Sequence, residues 1–251
     1  MNSDDSQPPS PESSMDFKAG EVLLIDKPID WTSFDIVNKI RYRLRKVLGI
    51  KKIKVGHAAN LDPKATGLLI VCTGKATKTI HEYQGMDKVY TGTVRLGGST
   101  ASFDMETEVE QEYRYDHITL EQVKQVIQDQ FMGEIEQVPP VFSAIKVDGV
   151  PLYKKARKGQ EVDIKSRKVI IYDFQITRFE LPEMDFKITC SKGTYIRSIA
   201  NDIGLAWNSG GYLAALRRTH IGQYAVDNAF EIENFCNWLE KEYVPLSDTN
   251  Q

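Results

Sequence analysis

Leu68-Leu69-Ile70-Val71-Cys72 is an unbroken apolar run of strand length, and it follows directly on a segment bounded by Gly56 and Gly67. Such a run reads as a buried strand. The segment feeding it is Gly56-His57-Ala58-Ala59-Asn60-Leu61-Asp62-Pro63-Lys64-Ala65-Thr66-Gly67. Proline fixes its own φ and pushes the residue before it toward an extended backbone. Asp62 is therefore stiffened in a turn with a buried strand behind it. That is how a chain presents one acid group in a defined direction, and it makes Asp62 the candidate catalytic residue.

The rest of the chain supplies mixed elements. Residues 1–16, rich in Ser, Pro and Asp, have almost nothing to bury and are expected to be a disordered tail. Glu21 to Asp26 reads as a strand that Lys27-Pro28 ends. Ser33 is placed to cap a helix to about Leu48, with Val37, Ile40, Leu44, Val47 and Leu48 at helical spacing. Lys75 to Tyr83 suits a helix, and Lys88 to Leu96 alternates as a strand. Thr119-Leu120-Glu121-Gln122 fits a capping box that opens a helix to about Met132. Lys168 to Phe179 and Asp185 to Cys190 read as a hairpin. Thr194 starts a helix with Ile196, Ile199, Ala200, Ile203 and Trp207 as its buried stripe, and a last helix runs from about Glu231 to Tyr243. This order predicts an α+β fold with a mixed, mostly antiparallel sheet flanked by helices.

At 251 residues and 41% apolar content, one large domain, or one domain with a small appendage, is expected. No run of eighteen apolar residues suggests a membrane span. No basic stretch followed by an apolar one suggests a secretory signal. Cys72, Cys190 and Cys236 are far apart and odd in number, which is neither a disulfide framework nor zinc-ligand spacing. A cytoplasmic protein with no cofactor and no metal is the reading. His81, His117 and His220 show no ligand spacing and read as structural or exposed.

Net charge is −3, but its distribution is uneven. Asn38 to Lys54 holds eight Lys/Arg and no acid, whereas Asp104 to Glu136 holds ten acids against two bases. A segregated basic face on Lys39, Arg41, Arg43, Arg45 and Lys46 is the footprint of nucleic-acid contact, although a solvated helix face has the same composition. Farther on, Ser191-Lys192-Gly193-Thr194-Tyr195-Ile196-Arg197 follows a strand and opens a helix. Arg197 falls opposite the apolar stripe and is expected to point away from the core, where a guanidinium pairs with a carboxylate or a phosphate.

With these motifs in hand, the chain resembles the TruB family of tRNA pseudouridine synthases over roughly residues 17–225. Gly20 to Pro28 resembles the family's opening strand, and Val55 to Gly67 its catalytic loop. Lys88-Val89-Tyr90 with Leu96-Gly97 resembles the next motif. Gln137-Val138-Pro139-Pro140 with Ser143-Ala144 and Lys146 resembles the start of an RNA-gripping insertion, about 132–168 here. Ser191 to Arg197 and Leu216-Arg217-Arg218 complete the set. The resemblance implies the pseudouridine-synthase fold and isomerisation of a uridine in the T-loop (position 55) of tRNA by a monomer that meets the T-arm. It gives Asp62 the catalytic role and Tyr90 a stacking role on the flipped-out base. It makes His57, Tyr195, Arg197 and Leu216 substrate-binding residues, with Lys27 supporting the site and Arg197 holding Asp62 ionised.

Two departures stand out. Ala59 and Asn60 occupy positions where the family has Gly-Thr or Gly-Ala, so a positive φ at Ala59 would be strained. Residues 226–251, a C-terminal helix and tail, are too short and acidic for the RNA-binding β-domain of many relatives, which is expected to be absent. A non-catalytic tRNA-binding or tRNA-folding module is the alternative reading, and an unrelated hydrolase using Asp62 is a distant second.

Overall fold

Thr32, not Ser33, starts the first helix. Its hydroxyl accepts from the backbone N–H of Asp35 (3.1 Å), and the Asp35 carboxylate accepts from the backbone N–H of Thr32 (2.9 Å). This reciprocal box satisfies two donors that a helix end otherwise leaves bare. The computed structural model describes residues 15–143, 146–147, 149–152, 155 and 164–245. In chain order the main elements are β1 (Val22–Lys27), α1 (Ser33–Val47), β2 (Val55–Ala58), β3 (Ala65–Thr73), α2 (Ile80–Gly85), β4 (Lys88–Leu96), α3 (Leu120–Gln130), β5 (Gly133–Gln137), β6 (Arg167–Glu180), β7 (Glu183–Cys190), α4 (Ile196–Ala206), β8 (Gly211–Ile221), β9 (Phe230–Glu231) and α5 (Ile232–Lys241).

The chain divides into two units, one holding the described residues up to Met86 and from Arg217 onward, the other Asp87–Leu216. In the first, β3 pairs antiparallel with β1 and with β2, while β1 pairs parallel with β9. The apolar run is explained by cover on both faces. Leu69 and Val71 join a core with Phe17, Ile36, Ile40 and Leu44, to which α5 adds Phe235 and Leu239. Leu68, Ile70 and Cys72 point the other way, into a cluster with Ala58, Tyr83 and Ile221. Alternation therefore exists along β3, but both sides are apolar. Helix α5, which the sequence reading set apart after residue 225, is part of this core. At the other end, the Tyr243 hydroxyl donates to the Met15 carbonyl (2.9 Å); residues 1–14 of the expected tail lie outside the described residues.

In the second unit, β4, β7, β6 and β5 pair antiparallel in that order. The predicted hairpin is β6 and β7, and α3 begins with the predicted box at Thr119 and Gln122. Gln137 of β5 sits opposite Arg167 of β6, so the insertion leaves and returns at neighbouring positions. Within it, Lys146–Val147 pairs with Val150–Pro151. The basic residues Lys154, Arg157 and Lys158 fall outside the described residues.

The basic face of α1 is partly answered within the protein. Lys39 pairs with Glu233, Arg43 with Glu240, and Lys46 reaches Glu240 at 3.5 Å. Arg41 donates to Asn38 and to the Val55 carbonyl. The segment lacks acids of its own because α5 supplies them nearly two hundred residues later. Part of that row is therefore an intramolecular contact.

All three cysteines are free, and burial pushes each thiol up to about 11. Among the described residues no helix is long and apolar enough to cross a membrane, and no group of three or more His, Cys, Asp or Glu is placed to hold a metal ion.

Candidate active site

Asp62, half-buried, lies in the connection from β2 to β3. Its carbonyl accepts from the Ala65 N–H (3.0 Å). Asp62-Pro63-Lys64-Ala65 is thus a hydrogen-bonded turn with proline at its second position, where its φ is already set. Four further groups fix the loop by its backbone. The Ser33 hydroxyl accepts from the Leu61 N–H (2.9 Å) and lies 3.2 Å from the Leu61 carbonyl, to which it donates. This is the work Ser33 does in place of capping. The buried Arg218 guanidinium donates from Nη2 to the Ala59 carbonyl (3.0 Å), from Nη1 to Asn60 (3.3 Å) and from Nε to Leu68 (2.8 Å). The Pro63 carbonyl accepts from the Asp30 N–H (2.8 Å) and, at 3.5 Å, from Lys27.

Lys27 is fully buried, and its ammonium also donates to the carbonyls of Pro28 (2.8 Å) and Trp31 (2.6 Å). Burial lowers its pKa to about 8; the Asp62 carboxylate opposes that shift and the Arg218 guanidinium adds to it. A buried cation thus sits within the field of the candidate catalyst. Between about pH 8 and 10.5 the unfolded chain holds a proton on Lys27 that the folded chain has released. Unfolding then takes up protons, so this group's contribution to stability rises with pH across that window, by on the order of 3 kcal/mol. Enzymatic rate is expected to move oppositely, falling as pH passes 8 and the ammonium beside Asp62 is lost. Thermal melts and rates across pH 7–10 check both; Lys27→Met is expected to flatten both slopes, and unchanged slopes would refute the assignment.

His57 stands on β2, opposite Val71 of β3, and not in the loop itself. Burial first, and the Arg218 charge second, lower its pKa, so it is neutral at pH 7. Its Nδ1 is buried and has no hydrogen-bond partner.

Ala59 has φ +55°. The strain anticipated from the sequence is present, and the bond from Arg218 to its carbonyl helps to hold the conformation. The left-handed region costs a residue with a Cβ about 1–2 kcal/mol, part of which glycine gives back through its freer unfolded chain. Ala59→Gly is expected to stabilise the protein by about 0.5–1 kcal/mol in denaturant melts, with Asn60 still in place. Gly67 (φ +105°) is stricter: a Cβ there would sit 2.3 Å from the Arg218 carbonyl oxygen.

The second unit carries the other predicted residues. Tyr90, 8% exposed, is in the middle of β4 opposite Ile188. Leu216 is half-buried on β8. Tyr195 is the N-cap residue of α4, so that helix begins at Ile196 and not at Thr194; Trp207, placed in its buried stripe, is its half-buried C-cap. Gln137, almost fully buried, accepts from the Tyr195 N–H (2.7 Å) and donates to its carbonyl (2.9 Å). The Tyr195 ring lies against the Arg167 guanidinium at 4.5 Å and the Arg197 guanidinium at 6.0 Å.

Arg197 does not point to solvent. It is 3% exposed and donates to the carbonyls of Ser102 (3.0 Å) and Phe142 (2.9 Å), with Asp104 3.6 Å from Nε. The polar face of α4 is covered by the 102–104 and 138–142 segments, where Ser198 also donates to Val138. The structure therefore joins Asp62, Lys27 and His57 around Arg218 in one unit, and Tyr195 with Arg197 in the other. Ser33, Gln137, Arg167 and Arg218 were not assigned site roles from the sequence.

A family model described as TruB family pseudouridylate synthase (N terminal domain) matches residues 45–196. Curated proteins named tRNA pseudouridine synthase B are similar over nearly the whole chain. That of Phocaeicola vulgatus is 51% identical over 92% of this chain and 97% of its own length. That of Flavobacterium johnsoniae is 54% identical over 90% and 98%. Among solved structures, a chain of a Cbf5–Nop10–Gar1 complex superposes with a TM-score of 0.66 at 26% identity over 92% of this chain, which spans 58% of that chain's length. An acid held by its backbone between two buried cations, on this mixed sheet and with relatives this similar end to end, leaves one conclusion: the chain belongs to the TruB family of pseudouridylate synthases.

Proposed function

We propose that the protein isomerises the uridine at position 55, in the T-loop of tRNA, to pseudouridine, with Asp62 as the catalytic residue. The reaction breaks the C1′–N1 bond, turns the uracil and joins C5 to C1′, with one proton moving from C5 to N1. Nothing is added or removed, so neither a redox group nor a metal is required. Attack of the carboxylate on C1′ and removal of the C2′ proton both need the same group, an ionised acid aimed at one sugar. The observation that carries the reading is the backbone clamp on Asp62. Ser33, Arg218 and Lys27 bind carbonyls and an N–H of residues 59–63, so much of the loop's hold is through its backbone. The neighbouring ammonium of Lys27 favours the ionised form.

The remaining assignments follow the chemistry of the substrate. Reaching the sugar requires the base to leave its stack, at roughly a few kcal/mol. Tyr90 replaces part of that loss, since aromatic stacking contributes about 1–3 kcal/mol per base. Tyr195, its ring fixed against Arg167 and its backbone by Gln137, forms part of the uracil pocket together with Leu216 and Arg197. His57, neutral at pH 7, helps to hold the flipped RNA.

The test is to incubate unmodified tRNA with the purified protein and map pseudouridine along it. Product at position 55 is expected. Product only at another uridine would overturn the T-loop assignment, and none at all would overturn the activity in favour of a tRNA-binding module.

A further inference from the structure

The basic run of residues 38–54 divides in the structure. Its helical half is answered by Glu233 and Glu240 of α5. Its second half leaves α1, and Lys52 and Lys54 join Lys18, Lys75 and Lys78 around a cavity of about 570 Å³, with Ile50 and Ile53 among its walls. Three separate chain segments supply these five lysines, and their backbones interlock. The Gly74 N–H donates to the Lys54 carbonyl (2.9 Å) and the Lys75 N–H to the Ala19 carbonyl (3.0 Å). Gly20 and Gly74 both have positive φ, and a Cβ on either would lie 2.5 Å from the Ala76 nitrogen or 2.4 Å from the Lys18 carbonyl oxygen. The grouping of charge is thus a fixed product of the fold.

Among the described residues, no carboxylate lies within ion-pair distance of Lys52, Lys54, Lys75 or Lys78. Like charges held together repel, and an anion in the cavity would relieve that. The lining decides which anion. It contains no arginine, so it lacks the flat fork that grips a single phosphate in one orientation. Lysines are point charges on long stems that lie along apolar walls and follow a chain of phosphates. None of the lining residues belongs to the Asp62 loop.

We propose that this cavity is a second RNA contact, apart from the catalytic loop, that takes the sugar–phosphate backbone of the substrate tRNA without reading its sequence. This rests on the tRNA reading above. It also extends the basic footprint beyond the α1 face, part of whose charge Glu233 and Glu240 answer.

Binding of full-length tRNA is measured across a salt series for the intact chain, for Lys75→Gln/Lys78→Gln and for Lys52→Gln/Lys54→Gln. The control, Lys124→Gln/Lys241→Gln, removes the same charge from exposed sites elsewhere. Melting curves confirm that each variant folds. Each cavity pair is expected to raise Kd on the order of tenfold at 0.1 M salt and to flatten the slope of log K against log salt by about one to two. The control should do neither. Kd values and slopes that match the control for both pairs would overturn the cavity as an RNA contact. Wild-type turnover in the same preparation separates the two ideas. Product without any effect of the cavity pairs removes only this proposal, whereas the absence of both wild-type product and salt-dependent wild-type tRNA binding removes the tRNA reading itself.

Discussion

Asp62→Asn is expected to lower the single-turnover rate of pseudouridine formation by about 10⁴ or more while leaving tRNA affinity nearly unchanged. The substitution is close to isosteric, and the contacts that shape the loop are made by backbone groups. Ser33 meets the Leu61 amide, Arg218 the carbonyls of Ala59 and Asn60, and Lys27 the carbonyl of Pro63. The turn closes through the Asp62 carbonyl oxygen and not its side chain. An asparagine therefore keeps these backbone contacts and loses the charge. Its amide neither attacks C1′ nor accepts the C2′ proton, so both chemical routes close together. A small secondary effect is also expected below pH 8. The Asp62 charge works against the lowering of the Lys27 pKa, so its loss makes the buried ammonium costlier and lowers the melting temperature slightly. Equal product from Asp62→Asn and wild type would remove Asp62 from catalysis. A loss of tRNA binding with the rate preserved would instead move the residue into recognition.

Where the sequence could be read, a local pattern mirrored a local cause. The apolar run of β3, the alternation of β4, the hairpin of β6 and β7 and the box opening α3 all carry their signals within a few residues. The Asp62 loop was legible for the same reason, since proline and the flanking glycines act on their immediate neighbours. Strand β8 was not assigned. Gly211, Tyr212 and Leu213 are consecutive buried residues, so no apolar–polar alternation marks the start of the strand. The surroundings of Lys39, Arg43 and Arg197 were not legible because their partners are remote. Glu233 and Glu240 lie nearly two hundred residues beyond α1, and the Ser102 carbonyl lies 95 residues before Arg197. A helical wheel says which face is polar, but not whether solvent or another segment covers it. Arg218 posed the same difficulty in stronger form. A doublet of arginines on an exposed strand and one that sends a guanidinium inward look identical in sequence. The alternation of β8 separates them, placing Arg217 toward Asp26 and Arg218 toward the loop.

Arg218→Met is expected to lower rate as well as stability, and the rate per folded molecule tests whether the loop clamp serves catalysis. Three carbonyls lose a donor, but they are not equally placed. Ala59 is half-buried and Asn60 exposed, so water can replace the guanidinium at both. Leu68 is fully buried, and its carbonyl keeps the penalty of an unmet acceptor, about 1–3 kcal/mol. Removing a buried charge that also lowers the Lys27 pKa returns some of this. A net loss of about 1–3 kcal/mol follows, or roughly 2–12 °C in melting temperature for a chain of this size. A separate effect on chemistry is expected because Ala59 holds a left-handed backbone that this donor helps to fix. Once released, Ala59 relaxes toward ordinary φ and carries the turn at Asp62 with it. A displacement near 1 Å at the reacting group costs about 10²-fold in rate. Arg218→Lys should fall close to Arg218→Met, because one ammonium cannot span carbonyls that three guanidinium nitrogens reach. Adding Ala59→Gly to Arg218→Met should recover stability but not rate, since glycine removes the strain without restoring the aim. A variant as destabilised as predicted, yet turning over at the wild-type rate per folded molecule, would show that the guanidinium only fills the core.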